Sequence, residues 1–290
     1  MSKDVYDVRW MQATLALARR GQGLCAPNPN VGCIIVRDDE VVGRGWTQPG
    51  GRPHAETMAL QQAGKAAQGA CVYVSLEPCA HHGQTPPCAD ALITAGVGRV
   101  VAAIKDPDPR VSGAGLKRIS DAGIPVRVGV CSDEARVVNA GFLSRLIRGR
   151  PFVSAKLATT LDGKVATRAG KSQWITGEEA RAHGHVQRAV HDAILIGAGT
   201  ARADLPKLTC RLPGLLDQSP QPFVVKGREA LPSELGNMTV INAGDGEEWP
   251  TPHAILSQLA AKGVGRVLIE GGPRLVTSFL RAGLVDQLLW

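Results

Sequence analysis

Apolar positions along the chain switch between two spacings. Between residues 4 and 20, Trp10, Met11, Leu15 and Ala18 fall on one face at helical intervals, which predicts a helix. Gly32-Cys33-Ile34-Ile35-Val36-Arg37 is a short apolar run that reads as a buried strand, with 40–46 as its hairpin partner across Asp38-Asp39. The alternation continues as helix 54–63, strand 71–75, helix 88–95, strand 99–104, helix 115–122, strand 126–130 and helix 132–147. Gly and Pro then punctuate a basic link, Arg148-Gly149-Arg150-Pro151. A second series opens with a strand at 152–159. Its later strands are predicted at 193–197, 223–225, 239–241 and 266–270, and its helices at 178–190, 251–262 and 273–282. The Pro-rich stretch 205–221 reads as loop. Residues 284–290 read as a strand that stops without cap, turn or polar tail.

Two α/β domains follow from this alternation, 1–147 and 148–290. Of the 290 residues, 44% are hydrophobic and 20% charged, the balance of a globular protein that can bury a core without disulfides. Aromatic residues make up only 4%, so the core must rest on Val, Leu, Ile and Ala. The polar start has no signal-peptide pattern, and no apolar stretch is long enough to span a bilayer. A cytoplasmic location with no membrane partner is expected, where the seven cysteines serve as thiols or metal ligands. The net charge of +7 is scattered, with no Lys/Arg run and no basic patch interleaved with aromatics. That favours arginines holding small phosphorylated ligands over nucleic-acid binding.

The sharpest chemical signal is Pro53-His54-Ala55-Glu56, followed by Glu77-Pro78-Cys79 and Pro86-Pro87-Cys88. One His and two Cys suit zinc, and three protein ligands leave one position open for water. The metal lowers the pKa of that water, and the resulting hydroxide can attack a ring carbon bearing an amine. Glu56 lies two residues past His54, off its face of a helix, so it is cast as the proton carrier and not as a ligand. Eight residues, 80–87, separate the two cysteines, where the general zinc-deaminase pattern has two. This insert offers His81 and His82 as rival ligands, and a closed structural zinc site stays open as an alternative.

The run Pro27-Asn28-Pro29-Asn30-Val31-Gly32-Cys33, the His54-Ala55-Glu56 triplet and the segment from Ser75 to Cys88 closely resemble one family, the bifunctional deaminase–reductases of riboflavin biosynthesis. The likeness extends through Lys105-Asp106-Pro107-Asp108-Pro109, Asn139-Ala140-Gly141-Phe142, the Lys156–Gly163 run, Ser172-Gln173-Trp174-Ile175-Thr176 and Glu270-Gly271-Gly272-Pro273. It implies a cytidine-deaminase-like α/β/α domain followed by a dihydrofolate-reductase-like α/β domain. The first would use zinc to deaminate a 2,5-diamino-6-ribosylamino-pyrimidinone 5′-phosphate. The second would use NADPH to reduce the ribose side chain to ribityl.

By the same resemblance, His54, Cys79 and Cys88 hold the metal, Glu56 is catalytic, and Asn28, Asn30 and His82 line the deaminase pocket. In the second half Lys156 sits near the ribose being reduced, while Ser172, Arg188, Leu208, Arg211 and Glu270 hold the substrate. Thr159, Trp174, Thr200, Asp204, Gly272, Pro273, Arg274 and Leu275 face NADPH. Lys226-Gly227 and Asp204-Leu205-Pro206 depart from the family's Asp-Ser and Asp-Asn-Pro or Asp-Asp-Pro. The family also carries further strands beyond the point matching Trp290. The second sheet is therefore expected to be incomplete, with a bare final strand that invites homo-oligomer pairing. Three other readings remain at this level: a deaminase with a remnant second domain, a nucleic-acid deaminase, and a zinc-stapled binding module.

Overall fold

Strand β1 (Gly32–Arg37) is buried on both faces, and the first sheet is built around it. It pairs antiparallel with β2 (Glu40–Trp46) and with β3 (Cys71–Val74). Strands β4 (Arg99–Ala102) and β5 (Val126–Val128) add on in parallel, giving the order β2-β1-β3-β4-β5. The computed structural model describes residues 3–81, 86–109, 111–228, 230–243 and 249–290. It divides the chain into two units, Met1–Ile147 and Arg148–Trp290. Among the described residues no helix is long and apolar enough to cross a membrane.

Glycines set how closely helices lie on this sheet. A Cβ on Gly32 would come within 2.1 Å of Thr14 O, in α1 (Lys3–Arg19). Cβ atoms on Gly43 and Gly45 would meet Ala59 O at 2.2 Å and Ala55 O at 2.3 Å, in α2 (Ala55–Ala63). Gly43 and Gly45 pair with Ile35 and Cys33, while Gly32 pairs with Trp46. By strand alternation α1 and α2 therefore cover opposite faces of β1. The remaining helices of this unit are α3 (Cys88–Thr94), α4 (Ala114–Asp121), α5 (Ser132–Val138) and α6 (Ala140–Arg148).

The predicted single helix over 132–147 is in fact two, α5 and α6, parted at Asn139. Asn139 is fully buried, its Nδ2 donates to Ala135 O at 3.3 Å, and its Oδ1 accepts from the Asn30 amide at 2.8 Å. A side chain bonded to nearby backbone competes with helix continuation. Here it also ties the Asn28-Pro29-Asn30 loop to the end of α5.

In the second unit the sheet runs β11-β6-β10-β7-β8-β9, with every pair parallel. The strands are β6 (Phe152–Lys156), β7 (Ala193–Gly197), β8 (Gln221–Val225), β9 (Thr239–Ile241), β10 (Arg266–Glu270) and β11 (Gln287–Leu289). Apolar side chains leave both faces. Val153, Leu195, Val225 and Ile269 join Leu259 of α9 (Pro252–Ala261) and Phe279 of α10 (Pro273–Arg281). Ile194, Ile196, Val224 and Leu268 form a second cluster with Ala201 of α8 (Ala198–Asp204). Burial on both faces is why these strands read as unbroken apolar runs. Helix α7 (Glu178–Ala189) precedes β7.

Two predicted features change. The first strand of this unit ends at Lys156, short of residue 159. Helix α8 has no predicted counterpart, because AGTARAD is too short and too poor in apolar residues to show a period. The final strand β11 pairs with β6 and forms the edge of the sheet among the described residues, and the preceding Asp286 accepts from Arg148, Arg150 and the Val153 amide.

Helix α1 is held to the first sheet by Asp7, which is fully buried. Its carboxylate accepts two bonds from Arg99 of β4 (3.0 and 2.7 Å), one from Arg127 of β5 (2.7 Å) and one from the Tyr73 hydroxyl of β3 (2.9 Å). Burial alone would raise the Asp7 pKa, and these donors outweigh it, leaving the carboxyl below its ordinary value. A depressed carboxylate stabilises the fold above the unfolded-state pKa, and the contribution fades as pH falls through the folded one. Asp7→Asn should therefore cost on the order of 3–5 kcal/mol in denaturant unfolding at neutral pH, as when one partner of a buried ion pair is removed. The gap to the parent should narrow progressively as the pH is lowered past about 4. A constant gap at all pH values would show that packing, not charge, holds α1.

Candidate active sites

His54 stands immediately before α2, in extended conformation, so its ring lies at the helix entrance while Glu56 sits in the first turn. The close seat of α2 on Gly43 and Gly45 fixes both. Gly51, at φ +88°, packs where a Cβ would reach within 2.1 Å of Asn28 Nδ2, which seats Asn28 against the turn leading to His54. The two cysteines come from the loop after β3 and the first residue of α3. His54 Nδ1 lies 3.3 Å from Cys88 Sγ and 3.7 Å from Cys79 Sγ, and the Cys88 amide donates to Cys79 Sγ at 3.3 Å. All three ligand atoms fall within 4.8 Å of one another, and His81, one of the rival ligands, is not part of the cluster.

One imidazole and two thiols at this spacing suit a zinc ion with a fourth position left open. The charge state agrees. Hydrogen bonding with Cys88, ahead of the bond to His54, pulls the Cys79 thiol down to about 4, while the Cys88 thiol is raised as the partner that keeps the proton. A pair that already surrenders one proton is prepared for a cation. The His54 pKa is raised, chiefly by its bond to Cys79. Glu56 is 4% exposed, and burial lifts its carboxyl to about 7, with His54 opposing the shift. A carboxyl at that level can both take and give a proton near neutral pH.

His54, Cys79 and Glu56 line a cavity of about 360 Å³ that also reaches Asn28, His81 and Arg145. Asn30 does not line it; its amide Nδ2 is 3.5 Å from Val138 O, within the loop anchor. His82 lies outside the described residues. Glu77, singled out in sequence only as part of the motif, is buried and holds the cavity wall together. Its carboxylate accepts amides of Asp106 (3.2 Å), Gly113 (2.9 Å), Gly115 (2.9 Å) and Leu116 (3.3 Å). It thus ties the Pro78-Cys79 turn to the loop carrying Asp106 and to the start of α4.

In the second unit, Lys156 and Glu270 end neighbouring strands β6 and β10 and face each other in register. They stand at the carboxyl ends of a parallel sheet, where α/β folds place ligands. Arg188 of α7 makes a two-pronged bond to Glu270 (2.9 and 2.7 Å) and donates to Thr209 O at 2.9 Å. Lys156, Arg188 and Glu270 border two neighbouring cavities. One, of about 420 Å³, is lined also by Thr159, Thr200, Asp204, Leu208, Gly272 and Pro273. The other, of about 650 Å³, is lined also by Trp174, Arg181, His185 and Arg211.

The structure therefore separates residues that the sequence reading grouped. Trp174 lies in the arginine-lined cavity, stacked under Arg181 at 4.6 Å, and not with Thr159 and Thr200. Leu208 lies in the cavity of Thr200. Ser172 is exposed and borders neither cavity, nor does exposed Arg274. Leu275 is buried in the core, so only its backbone could meet a ligand. Gly271 and Gly272, at φ +108° and +78°, shape the turn before α10, and the Thr200 side chain packs 3.1 Å from where a Gly271 Cβ would sit.

Residues 5–104 match the cytidine and deoxycytidylate deaminase zinc-binding region, and residues 151–290 match the RibD C-terminal domain. The chain is 41% identical over 316 residues to the riboflavin biosynthesis protein RibD of Escherichia coli (strain K12), covering 98% of this chain and 86% of that one. It is 39% identical to the protein of the same name from Aquifex aeolicus (strain VF5), covering 98% and 85%. A solved structure from Thermotoga maritima, a diaminohydroxyphosphoribosylaminopyrimidine deaminase/5-amino-6-(5-phosphoribosylamino)uracil reductase, aligns with a TM-score of 0.90 at 34% identity over 99% of this chain and 86% of that one. Acinetobacter baumannii RibD also aligns at 0.90, with 40% identity over 99% and 86%.

Metal analysis of purified variants checks the ligand set. Cys79→Ser and Cys88→Ser should each lose the bound zinc, while Glu56→Gln and His81→Ala should keep it. Loss of zinc from His81→Ala would bring in a fourth ligand and close the open position.

Proposed function

The chain belongs to the RibD family of riboflavin-biosynthesis deaminase–reductases, and from that premise we propose how its own residues divide the two reactions. The first half, cytidine-deaminase-like, hydrolyses the amine from 2,5-diamino-6-ribosylamino-4(3H)-pyrimidinone 5′-phosphate. The second half, dihydrofolate-reductase-like, reduces the ribosyl chain of the product to ribityl. The observation that carries the first assignment is the convergence of His54, Cys79 and Cys88 beside buried Glu56, with His54, Cys79 and Glu56 lining one cavity.

His54, Cys79 and Cys88 would hold the zinc, which would acidify a water at neutral pH. Glu56 takes a proton from the attacking water, passes it to the ring nitrogen next to the carbon under attack, and then carries the remaining proton of that water to the departing amine. The C–N bond breaks, a carbonyl forms and ammonia leaves. The Asn28 amide offers both a donor and an acceptor to the polar edge of the ring. Asn30 acts through the loop that Asn139 anchors, and His82 is assigned to the same pocket.

In the reductase half NADPH supplies hydride. Lys156 is assigned as the catalytic group beside the ribose carbon, and its neighbour Glu270 orients Arg188 toward the substrate. Arg211 and Ser172 are assigned to the substrate phosphate, with Leu208 as an apolar neighbour. Thr159, Thr200, Asp204 and the turn from Gly272 to Leu275, including Pro273 and Arg274, are assigned to the cofactor, with Trp174 closing the side shared with the substrate. Gly271-Gly272 before the N-terminus of α10 suits close approach of an anionic group. A remnant second half is not favoured, since the match spans 151–290 and Lys156, Arg188 and Glu270 converge there.

The test reads product masses from the zinc-loaded protein with and without NADPH. Replacement of NH by O without cofactor, and a further gain of two hydrogens only with NADPH, is expected. Glu56→Gln should slow deamination by roughly 10²–10⁴-fold, the range for a lost general acid–base. It should still reduce the ready-made deaminated intermediate. A Glu56→Gln protein that deaminates at the parent rate would overturn the role of Glu56. A failure of the parent to add hydrogens would remove the second activity.

A further inference from the structure

Helix α6 turns one side toward the deaminase cavity: Phe142, Arg145 and Leu146, at spacing i, i+3, i+4, all line it. Arg145 is half-buried, and its Nη1 donates to Pro27 O at 3.2 Å, the start of the loop that carries Asn28. It makes no ion pair among the described residues, whereas Arg99, Arg118 and Arg127 of the same unit are all matched to Asp side chains. One guanidinium bond is therefore spoken for, and most of a rigid five-donor group is left beside a cavity. Arg52, the half-buried residue two before His54, lines the same cavity and bears on the electrostatics of His54. Four acidic residues share the lining among the described residues, Glu56, Glu77, Asp106 and Asp108. Glu77 is filled by four backbone amides, Asp106 Oδ1 accepts the Asp108 amide, and Glu56 faces the ligand cluster.

A cavity with reaction chemistry at one group and two guanidinium residues on its wall fits a ligand that is a neutral ring at one end and an anion at the other. We propose that Arg145 and Arg52 bind the 5′-phosphate of the pyrimidine substrate in the deaminase site, so that this half selects the phosphorylated compound over its riboside. The proposal rests on the deaminase reading above and adds the residues that set its specificity. Guanidinium pairs with phosphate through charge-assisted, often two-pronged bonds, which is the reason for arginine at such a position. Phe142 and Leu146, on the same side of α6, leave an apolar wall beside the arginine for the sugar.

The experiment compares deamination of the 5′-phosphate with that of its phosphatase-treated riboside, in the parent, Arg145→Gln, Arg145→Lys and Arg52→Gln, with bound zinc measured for each. The parent should prefer the phosphate ester. Arg145→Gln should lower kcat/KM for the ester by roughly 10- to 100-fold, the worth of one or two charge-assisted bonds. The loss should appear mainly in KM, and the ester-to-riboside ratio should fall toward unity. Arg145→Lys should restore part of that ratio, and Arg52→Gln should lower it as well. Equal losses on both substrates would make Arg145 a strut for the Pro27 loop and overturn the proposal. An unchanged ratio with full activity would do the same. A zinc-loaded parent that deaminates neither compound would instead sink the deaminase reading on which the proposal stands.

Discussion

The seat of α2 on β2 is the constraint from which the deaminase half follows. Two glycines two residues apart leave no Cβ on that side of the strand, and the helix backbone settles where side chains would otherwise stand, with carbonyls 2.2 and 2.3 Å from the vacant Cβ positions. A helix that close has little freedom to slide or tilt. His54 therefore enters at a fixed point above β1, and Glu56 is forced into a buried first turn. Desolvation of Glu56 is a consequence of the same contact, and it places a carboxyl with a pKa of about 7 beside the ligand cluster. The cysteines are brought to meet it by a second device, the Glu77 carboxylate, whose backbone partners come from separate loops. Buried and fully satisfied, it does for the loop after β3 what the glycines do for α2.

The second half solves its problem differently. An all-parallel sheet collects the ends of β6 and β10, so Lys156 and Glu270 become neighbours by register alone. Glu270 is committed to Arg188 by two short bonds, and Lys156 beside it lines both cavities. The division of polar groups between those cavities is marked. The larger gathers Arg181, His185 and Arg211, while the smaller has the Gly271-Gly272 turn and the small hydroxyl residues Thr159 and Thr200. On the assignment proposed above, the substrate phosphate meets the arginine-lined cavity and the cofactor meets the Gly271-Gly272 turn.

Much of this was legible in the sequence, for identifiable reasons. Strands such as 32–37 and 193–197 stand out because residues buried on both faces form unbroken apolar runs between turn residues. The grouping of His54, Cys79 and Cys88 was legible because zinc restricts the residue types that can bind it. What escaped depends on side-chain direction or on very short elements. Helix α8 is too small to show a period. The break at Asn139 depends on a bond to Asn30, more than a hundred residues away in sequence. Arg145 gave no signal, since an arginine on an amphipathic helix looks like any solvated surface charge until the cavity beside it is seen. Trp174 carried a motif but not its direction, and stacking with Arg181 sets that.

Solvent is the source of the new oxygen and the nicotinamide the source of the new hydrogen, within one chain. A single incubation reads both: the diaminopyrimidinone substrate in oxygen-18 water with NADPH deuterated at the transferred position. The expected final product carries one oxygen-18 on the pyrimidine ring and one deuterium on the ribityl chain, while the deaminated intermediate carries the oxygen label alone. A product with deuterium but no oxygen-18, or deamination that never leads to deuterium uptake, would contradict the account.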